Sequence, residues 1–146
     1  MGSVSVRKAE SGDLQGILHI INTLELDIPG FVWNKPDFVG AQIARGEYFV
    51  GHADNQLAGI ISLRQRNSTM YIETLAVMPE FRLQKIGSQL VVFAKNITKE
   101  RGLQDLCACS FLQYNIGDFY KKQGFSSSWH SGDYNGHKYR VFTAKV

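Results

Sequence analysis

The stretch LAVMPEFRLQKIGSQL, Leu75 to Leu90, decides how the chain is read. Its first residues are apolar and strand-like, Pro79 ends them, a short loop follows, and a helix is predicted to begin near Ile86. Backbone N–H groups at the start of a helix have no intrahelical acceptor and attract anions, phosphate above all. Gly87 would let the backbone approach a ligand closely, Ser88 adds a hydroxyl donor, and Arg82 and Lys85 add positive charge. Ordinary basic loops share this pattern, so phosphate binding and a plain surface loop both stay open at this point.

Working outward, MYIETLAVM is the last of three strand-like runs, after YFVGHA and LAGIISLRQ. The turns DNQ and RNS separate them, which makes an antiparallel meander. Before the meander, VSVRKAE reads as a strand and SGDLQGILHIINTLE as a helix. Ser11 or Asp13 can cap that helix, and Leu14, Ile17, Leu18 and Ile21 recur at helical spacing. DIPGFVW is a break, and KPDFVGAQIARGE reads as a weaker second helix. After the loop, IGSQLVVFAKNITKERG is a long amphipathic helix ending at Gly102. LQDLCACSF then reads as a buried strand and NIGDFYKKQG as a short helix. FSSSWHSGDYNGHKYRVFTAKV reads as a hairpin turning at Asn135-Gly136. The order β-α-α-β-β-β-α-β-α-β-β predicts a mixed α/β (α+β) fold. Its one sheet is antiparallel in the first half, with a parallel crossover through the long helix. With 146 residues and no repeat or linker, a single domain spanning residues 1–146 is expected.

In that context the run from Leu75 to Leu90 resembles the acyl-CoA signature of the GNAT acetyltransferase superfamily, L-x-V-x-P-x-x-Q/R-x-x-G-x-G/A-x-x-L. Leu75, Val77, Pro79, Arg82, Gly87 and Leu90 match; Lys85 stands where the family has glycine. A second run, NIGDFYKKQGF from Asn115 to Phe125, resembles the family's other CoA-contacting motif, an Asn ahead of Y-x-K/R-x-G-F, with its small residue displaced. The resemblance implies a GNAT-type fold, a central mixed twisted sheet of about seven strands with about four helices. It also implies acetyl-CoA as cosubstrate. The fourth and fifth strands would splay, and a bulge would free backbone groups of Leu75, Ala76 and Val77 to pair with the pantetheine arm. The N–H groups of Arg82, Leu83, Gln84, Lys85, Ile86, Gly87 and Ser88 would wrap the pyrophosphate, and Asn115 would hold the pantetheine or cap its helix. If the backbone at Lys85 needs positive φ, lysine there costs about 1 kcal/mol relative to glycine, which Lys85 could offset by pairing with a phosphate.

Transfer of an acetyl group to an amine needs a neutral amine, a stabilised oxyanion and a leaving thiolate. Alkyl amines have a pKa of about 10.4 and are charged at neutral pH, so a base must take a proton. Glu73, in MYIETLAV, is the candidate, directly or through water. Period two puts Glu73 and Leu75 on one nominal face, a parity that a bulge would break. The backbone N–H of Leu75 or its neighbour would hold the oxyanion. Tyr120 matches the family's general acid for the leaving sulfur, its phenol pKa of about 10 being suited to a thiol; a buried aromatic is the alternative, and Phe119 beside it reads as core. For the acceptor, Phe31 and Trp33 could form an apolar or cation-binding wall and Asp27 could pair with an ammonium, or the same residues could pack the loop. Trp129, His130, Asp133 and Tyr134 could border that cleft, while His19 and His52 read as structural.

Composition narrows the alternatives. The net charge of +3 comes from dispersed Lys and Arg, which suits a small polyanion and argues against nucleic acid. No apolar run approaches the roughly 18 residues of a membrane span, so no membrane partner is expected. The N-terminus lacks an apolar signal region, and Val6 breaks the myristoylation pattern after Gly2, so the expected compartment is cytoplasmic. Cys107 and Cys109 lack zinc-type spacing; strand alternation puts both on one face, read as buried packing, and no metal is expected. The leading expectation is acetyl-CoA-dependent acetylation of a small-molecule amine or amino acid. A protein N-terminal or lysine acetyltransferase and a non-catalytic acyl-CoA sensor are the alternatives. A homodimer through aromatics of the last hairpin is left open.

Overall fold

The computed structural model of the chain describes residues 4–24, 32–111, 117–134 and 137–146, with the side chains at 110, 111, 128–131, 133, 134 and 137 outside that description. In chain order the elements are β1 (Ser5–Lys8), a 3-10 turn at Ser11–Asp13, α1 (Leu14–Asn22), α2 (Pro36–Ala44), β2 (Tyr48–Ala53), β3 (Gln56–Arg66) and β4 (Thr69–Val77). A 3-10 turn at Pro79–Phe81 then leads to α3 (Ile86–Glu100), β5 (Asp105–Phe111), α4 (Gly117–Lys122), β6 (Ser126–Tyr134) and β7 (His137–Lys145). This is the predicted order. The seven strands form one mixed sheet, β1-β2-β3-β4-β5-β7-β6. The β1–β2, β2–β3, β5–β7 and β6–β7 pairs are antiparallel, and β4–β5 is parallel, as a crossover through α3 requires. Asn135-Gly136, the expected hairpin turn, lies outside the described residues, between the paired Tyr134 and His137.

The chain divides into two compact units. The first contains residues up to Leu63 together with Thr74–Phe93. Its core follows the apolar spacing of α1: Ile17, Leu18, Ile20 and Ile21 pack with Val39 and Ile43 of α2 and with Tyr48, Val50, Ile60 and Ala76 of the strands. Asp13 precedes α1 without a side-chain hydrogen bond into it and instead braces the turn before it, paired reciprocally with Glu10. Its carboxylate accepts the Glu10 N–H at 2.7 Å and two Arg7 N–H bonds at 2.8 and 2.9 Å. The Arg7 hydrogen bonds hold the Asp13 carboxyl below its usual value. The β2–β3 turn is the two-residue pair Asp54-Asn55 at φ 53° and 61°, a left-handed conformation that these two residue types tolerate.

Two glycines decide how closely α3 lies on this unit. Gly51 and Gly59 face each other across β2–β3. A Cβ on Gly59 would stand 3.0 Å from Leu90 Cδ1 and 3.1 Å from the Ala76 carbonyl oxygen; one on Gly51 would stand 3.3 Å from Leu90 Cδ2. The missing side chains leave a flat patch on which Leu90 sits fully buried, with Ile86 buried one turn earlier. Gln89 adds a tie to the N-terminal strand region, its Oε1 accepting the Val4 N–H at 2.9 Å.

The second unit contains Arg64–Glu73 and Ala94–Val146. β5 runs parallel to β4 from Thr69↔Asp105 to Ile72↔Ala108 and antiparallel to β7 from Asp105↔Lys145 to Phe111↔Tyr139. Leu106, Ala108, Phe142 and Ala144 are buried, with Tyr120 and Phe125 packed among them. The expectation that both cysteines are buried needs correction. Cys107 is buried, its Sγ 3.3 Å from Thr143 Oγ1, but Cys109 is exposed. Strand parity sets the face a residue occupies, not what covers it; Cys109 lies one residue past the last β4 partner of β5.

Gly59→Ala is expected to lower stability by about 1–3 kcal/mol, because the new methyl meets a backbone carbonyl and a fully buried leucine with little room to yield. Urea unfolding of the variant checks this; an unchanged midpoint would show that the helix approach is looser than described.

Candidate functional site

The loop between β4 and α3 is held at both ends. Phe81 closes the 3-10 turn and is buried, and Ile86, the first residue of α3, is fully buried. Between them the backbone departs from ordinary geometry twice: Arg82 is extended (φ −67°, ψ 154°), Leu83 has φ 68°, and Lys85 has φ 63°. Left-handed backbone costs a residue with a Cβ about 1–2 kcal/mol. Lys85 therefore adopts the conformation that glycine takes without penalty, and Leu83 does so as well, with its side chain fully exposed. Backbone that changes hand in this way can point successive N–H groups into one anion-binding concavity. The Lys85 carbonyl accepts the Gln89 N–H at 3.1 Å, so Lys85 is the residue on which α3 starts. Ile86, Gly87 and Ser88 form the first turn of the helix, whose N–H groups need acceptors from outside it.

The side chains around this loop brace it. Arg82 Nε donates to the Val77 carbonyl at 3.2 Å, and Gln84 Nε2 donates to the Glu80 carbonyl at 3.3 Å. Arg82, Gln84 and Lys85 are otherwise exposed. The arrangement fits a pyrophosphate: a cationic, solvent-facing loop with turned N–H groups at a helix start. Residues Leu75, Ala76 and Val77 lead into it. Burial alternates through β4 without a break from Thr69 to Val77, so Glu73, Leu75 and Val77 share the more open face while Thr74 and Ala76 are buried.

In the second unit, Glu73 has only 8% of its side chain exposed and is flanked by two guanidinium groups. Arg64 Nη1 is 3.8 Å from one carboxylate oxygen, and Arg66 Nη2 is 3.5 Å from the other. Arg66 also lies 5.6 Å from the centre of the Tyr71 ring. Sequence reasoning missed both arginines. The signal was present as Arg-x-Arg at the end of β3, two apart and so on one face, next to a strand carrying Tyr71 and Glu73 two apart.

Tyr120 sits on α4, whose first residue Gly117 lies against Phe142; a Cβ there would stand 2.9 Å from the ring. The Tyr120 ring stacks on Phe142 at 5.7 Å and meets Phe119 and Phe125 edge-on at 5.3 Å. Tyr120 is buried, at 4% exposure, as one of its two sequence readings has it, whereas Phe119, read as core, is only partly buried. A six-residue helix directs one stripe inward, and Tyr120 occupies it. Burial pushes the Tyr120 phenol well above its usual value, with a smaller upward contribution from Cys109. The phenol is thus a weaker acid than free tyrosine. Partial desolvation of its thiol raises Cys109 too, although the residue as a whole is exposed, and Cys107 adds to the rise; Arg66 acts in the lowering direction and Glu73 in the raising one. Cys109 therefore lies within electrostatic reach of Tyr120, Arg66 and Glu73.

Trp33 is partly buried, its ring 5.7 Å from Phe38 of α2. Asp27, Phe31 and Asn115 lie outside the described residues, as do the side chains of Trp129, His130, Asp133 and Tyr134. His19 is exposed and His52 partly buried. Among the described residues no group of three or more His, Cys, Asp or Glu is arranged to hold a metal, and no helix is long and apolar enough to cross a membrane.

Comparison with known proteins gives the family. Residues 44–127 match the model of the acetyltransferase (GNAT) domain. The PaiA N-acetyltransferase from Thermoplasma acidophilum, solved with coenzyme A, superposes with a TM-score of 0.80 at 21% identity, covering 99% of both chains. N-acetylglutamate synthase from Neisseria gonorrhoeae, solved with coenzyme A and N-acetyl-glutamate, superposes with a TM-score of 0.81 at 21% identity; it covers 99% of this chain and 35% of that one. A GNAT-family acetyltransferase from Bacillus cereus gives 0.78 at 18% identity over 98% of this chain and 97% of its own. No curated protein matches the sequence.

Lys85→Gly is expected to raise stability by up to about 1 kcal/mol, since glycine removes the left-handed penalty but loses some of the gain to a more flexible unfolded chain. Thermal unfolding of the ligand-free variant measures it, and a loss of stability would mean that the Lys85 side chain holds the loop by a contact of its own.

Proposed function

The chain belongs to the GNAT acetyltransferase family, and on that premise we propose that it moves the acetyl group of acetyl-CoA onto a primary amine, that of a small molecule or an amino acid, by direct attack within a ternary complex. The observation that carries this reading is the loop from Arg82 to Ser88. It holds left-handed backbone at the family's glycine position even though a lysine stands there, and it does so at the start of α3. Strain of this kind persists where the surroundings over-determine the backbone, and such places cluster at ligand sites.

The chemistry then runs as follows. N–H groups of the loop and of the first turn of α3 bind the pyrophosphate, with Lys85 available as a counter-charge. Backbone groups of Leu75, Ala76 and Val77 pair with the pantetheine arm in the manner of an added strand. Glu73 takes a proton from the acceptor ammonium, directly or through one water, and the freed amine attacks the thioester carbonyl. The oxyanion is held by a backbone N–H at Leu75 or its neighbour. Collapse breaks the carbon–sulfur bond, and the nitrogen, which still carries an extra proton after attack, releases it to water as the neutral amide forms. Tyr120 donates a hydrogen bond to the departing sulfur and passes its proton as the thiolate forms; its raised pKa makes that bond the larger part of its contribution.

Thiol release from acetyl-CoA across a panel of amines and amino acids tests this. Tyr120→Phe is expected to bind acetyl-CoA normally and to lose about 100-fold in kcat, the low end of the range for removing one general acid. Glu73→Gln is expected to lose at least as much. Binding of acetyl-CoA with no turnover across the panel would instead identify a sensor.

A pH profile provides a second check. The Tyr120 phenol titrates higher in the folded chain than in the unfolded one, so folding favours its protonated form. Its contribution to stability is fully present below about pH 10, the unfolded value, and is lost only as the pH climbs towards the folded value. The kcat of the wild type should therefore show no loss attributable to Tyr120 between pH 7 and about 10, where a free tyrosine would begin to ionise. A loss in that range that Tyr120→Phe abolishes would contradict the buried phenol.

A further inference from the structure

We propose that Arg64 and Arg66 form a carboxylate-recognition pair, and that the acceptor is therefore an amine carrying its own carboxylate on a neighbouring carbon, an α-amino acid rather than a plain amine or a peptide N-terminus. The inference deepens the acetyltransferase reading and rests on Glu73 being the group that meets the acceptor amine.

Two guanidinium groups each stand within 4 Å of one shielded carboxylate, an excess of one positive charge among these described side chains. A bare ammonium approaching Glu73 gains one attraction and meets two repulsions. An α-amino acid brings both signs: its ammonium meets Glu73 while its carboxylate meets the arginines, so every charge gains a partner. The geometry leaves room for this. At 3.8 and 3.5 Å both ion pairs are longer than a charge-assisted hydrogen bond, so neither arginine is locked onto Glu73 in the bidentate manner that guanidinium and carboxylate adopt when they serve only each other.

Exposure points the same way. The Arg64 and Arg66 side chains are 38% and 57% exposed, whereas Glu73 is almost covered, so the cations are the part of the cluster open to a solute. Arg66 is also positioned independently of Glu73, by the Tyr71 ring beneath it. A rigid fork already held in place loses little entropy on taking a carboxylate.

The test uses matched probes. L-leucine, L-methionine and L-phenylalanine are each compared with their carboxamide and their decarboxylated amine. Each probe is read twice: by calorimetric binding to the CoA-saturated protein, and by thiol release with acetyl-CoA. The proposal expects at least one free acid to exceed its amide and amine at least 10-fold in affinity and in kcat/KM. Arg64→Gln and Arg66→Gln should raise KM for that acid at least 10-fold with kcat changed less than threefold, leave the decarboxylated amine unaffected or improved, and Arg66→Lys should recover part of the loss. Equal use of acid, amide and amine would overturn it, as would variants that weaken all three alike, the mark of a purely structural ion pair. Acid-selective binding without turnover of any probe would uphold the carboxylate site while removing the acetyltransferase reading; no binding of any acid would remove the site itself.

Discussion

The close approach of α3 to Gly51 and Gly59 is the constraint on which the candidate coenzyme site depends. A helix seated on side chains would stand away from the strands by the depth of a methyl or more. Here Leu90 rests on bare backbone and Ile86 is buried one turn before it, so the helix start is fixed against β3 and the end of β4. The chain leaving Val77 must then reach Ile86 within a few residues, one 3-10 turn of which is already committed at Pro79–Phe81. The left-handed residues Leu83 and Lys85 follow from that short span. Strain in the loop and packing beneath the helix are two sides of one arrangement.

The second unit carries side-chain chemistry where the first carries backbone chemistry. Its exposed cations flank a shielded carboxylate, and Tyr120, deeply buried, holds its proton more tightly than a free phenol. A pyrophosphate needs many weak donors, which backbone N–H groups supply regardless of side chain. An acceptor needs a few charges in defined places, which only particular residues can supply. Under the proposed function, that division lets a lysine stand for a glycine in the loop, whereas Glu73, Arg64 and Arg66 are expected to tolerate little.

Much of this was legible in the sequence. Apolar periodicity and turn residues such as Asp54-Asn55 give every element in its order, and Pro79, Arg82 and Gly87 mark the loop. The glycine that Lys85 replaces raises positive φ there as a condition, and the structure meets it. Leu83 was not, because nothing in a leucine signals left-handed backbone; the span it crosses imposes it. The Arg64–Glu73–Arg66 cluster needs the pairing of neighbouring strands, which a search along one strand does not provide. Burial failed as a sequence inference at Cys109 and at Phe119 for one reason: parity and period assign a face, and the covering elements decide how deeply that face is covered.

The most direct measurement is hydrogen–deuterium exchange of the backbone amides with and without saturating acetyl-CoA. The account predicts slowed exchange concentrated at residues 82–88 and 75–77, where N–H groups take phosphate and pantetheine acceptors. Unchanged exchange in those two segments, with protection elsewhere or nowhere, would contradict it.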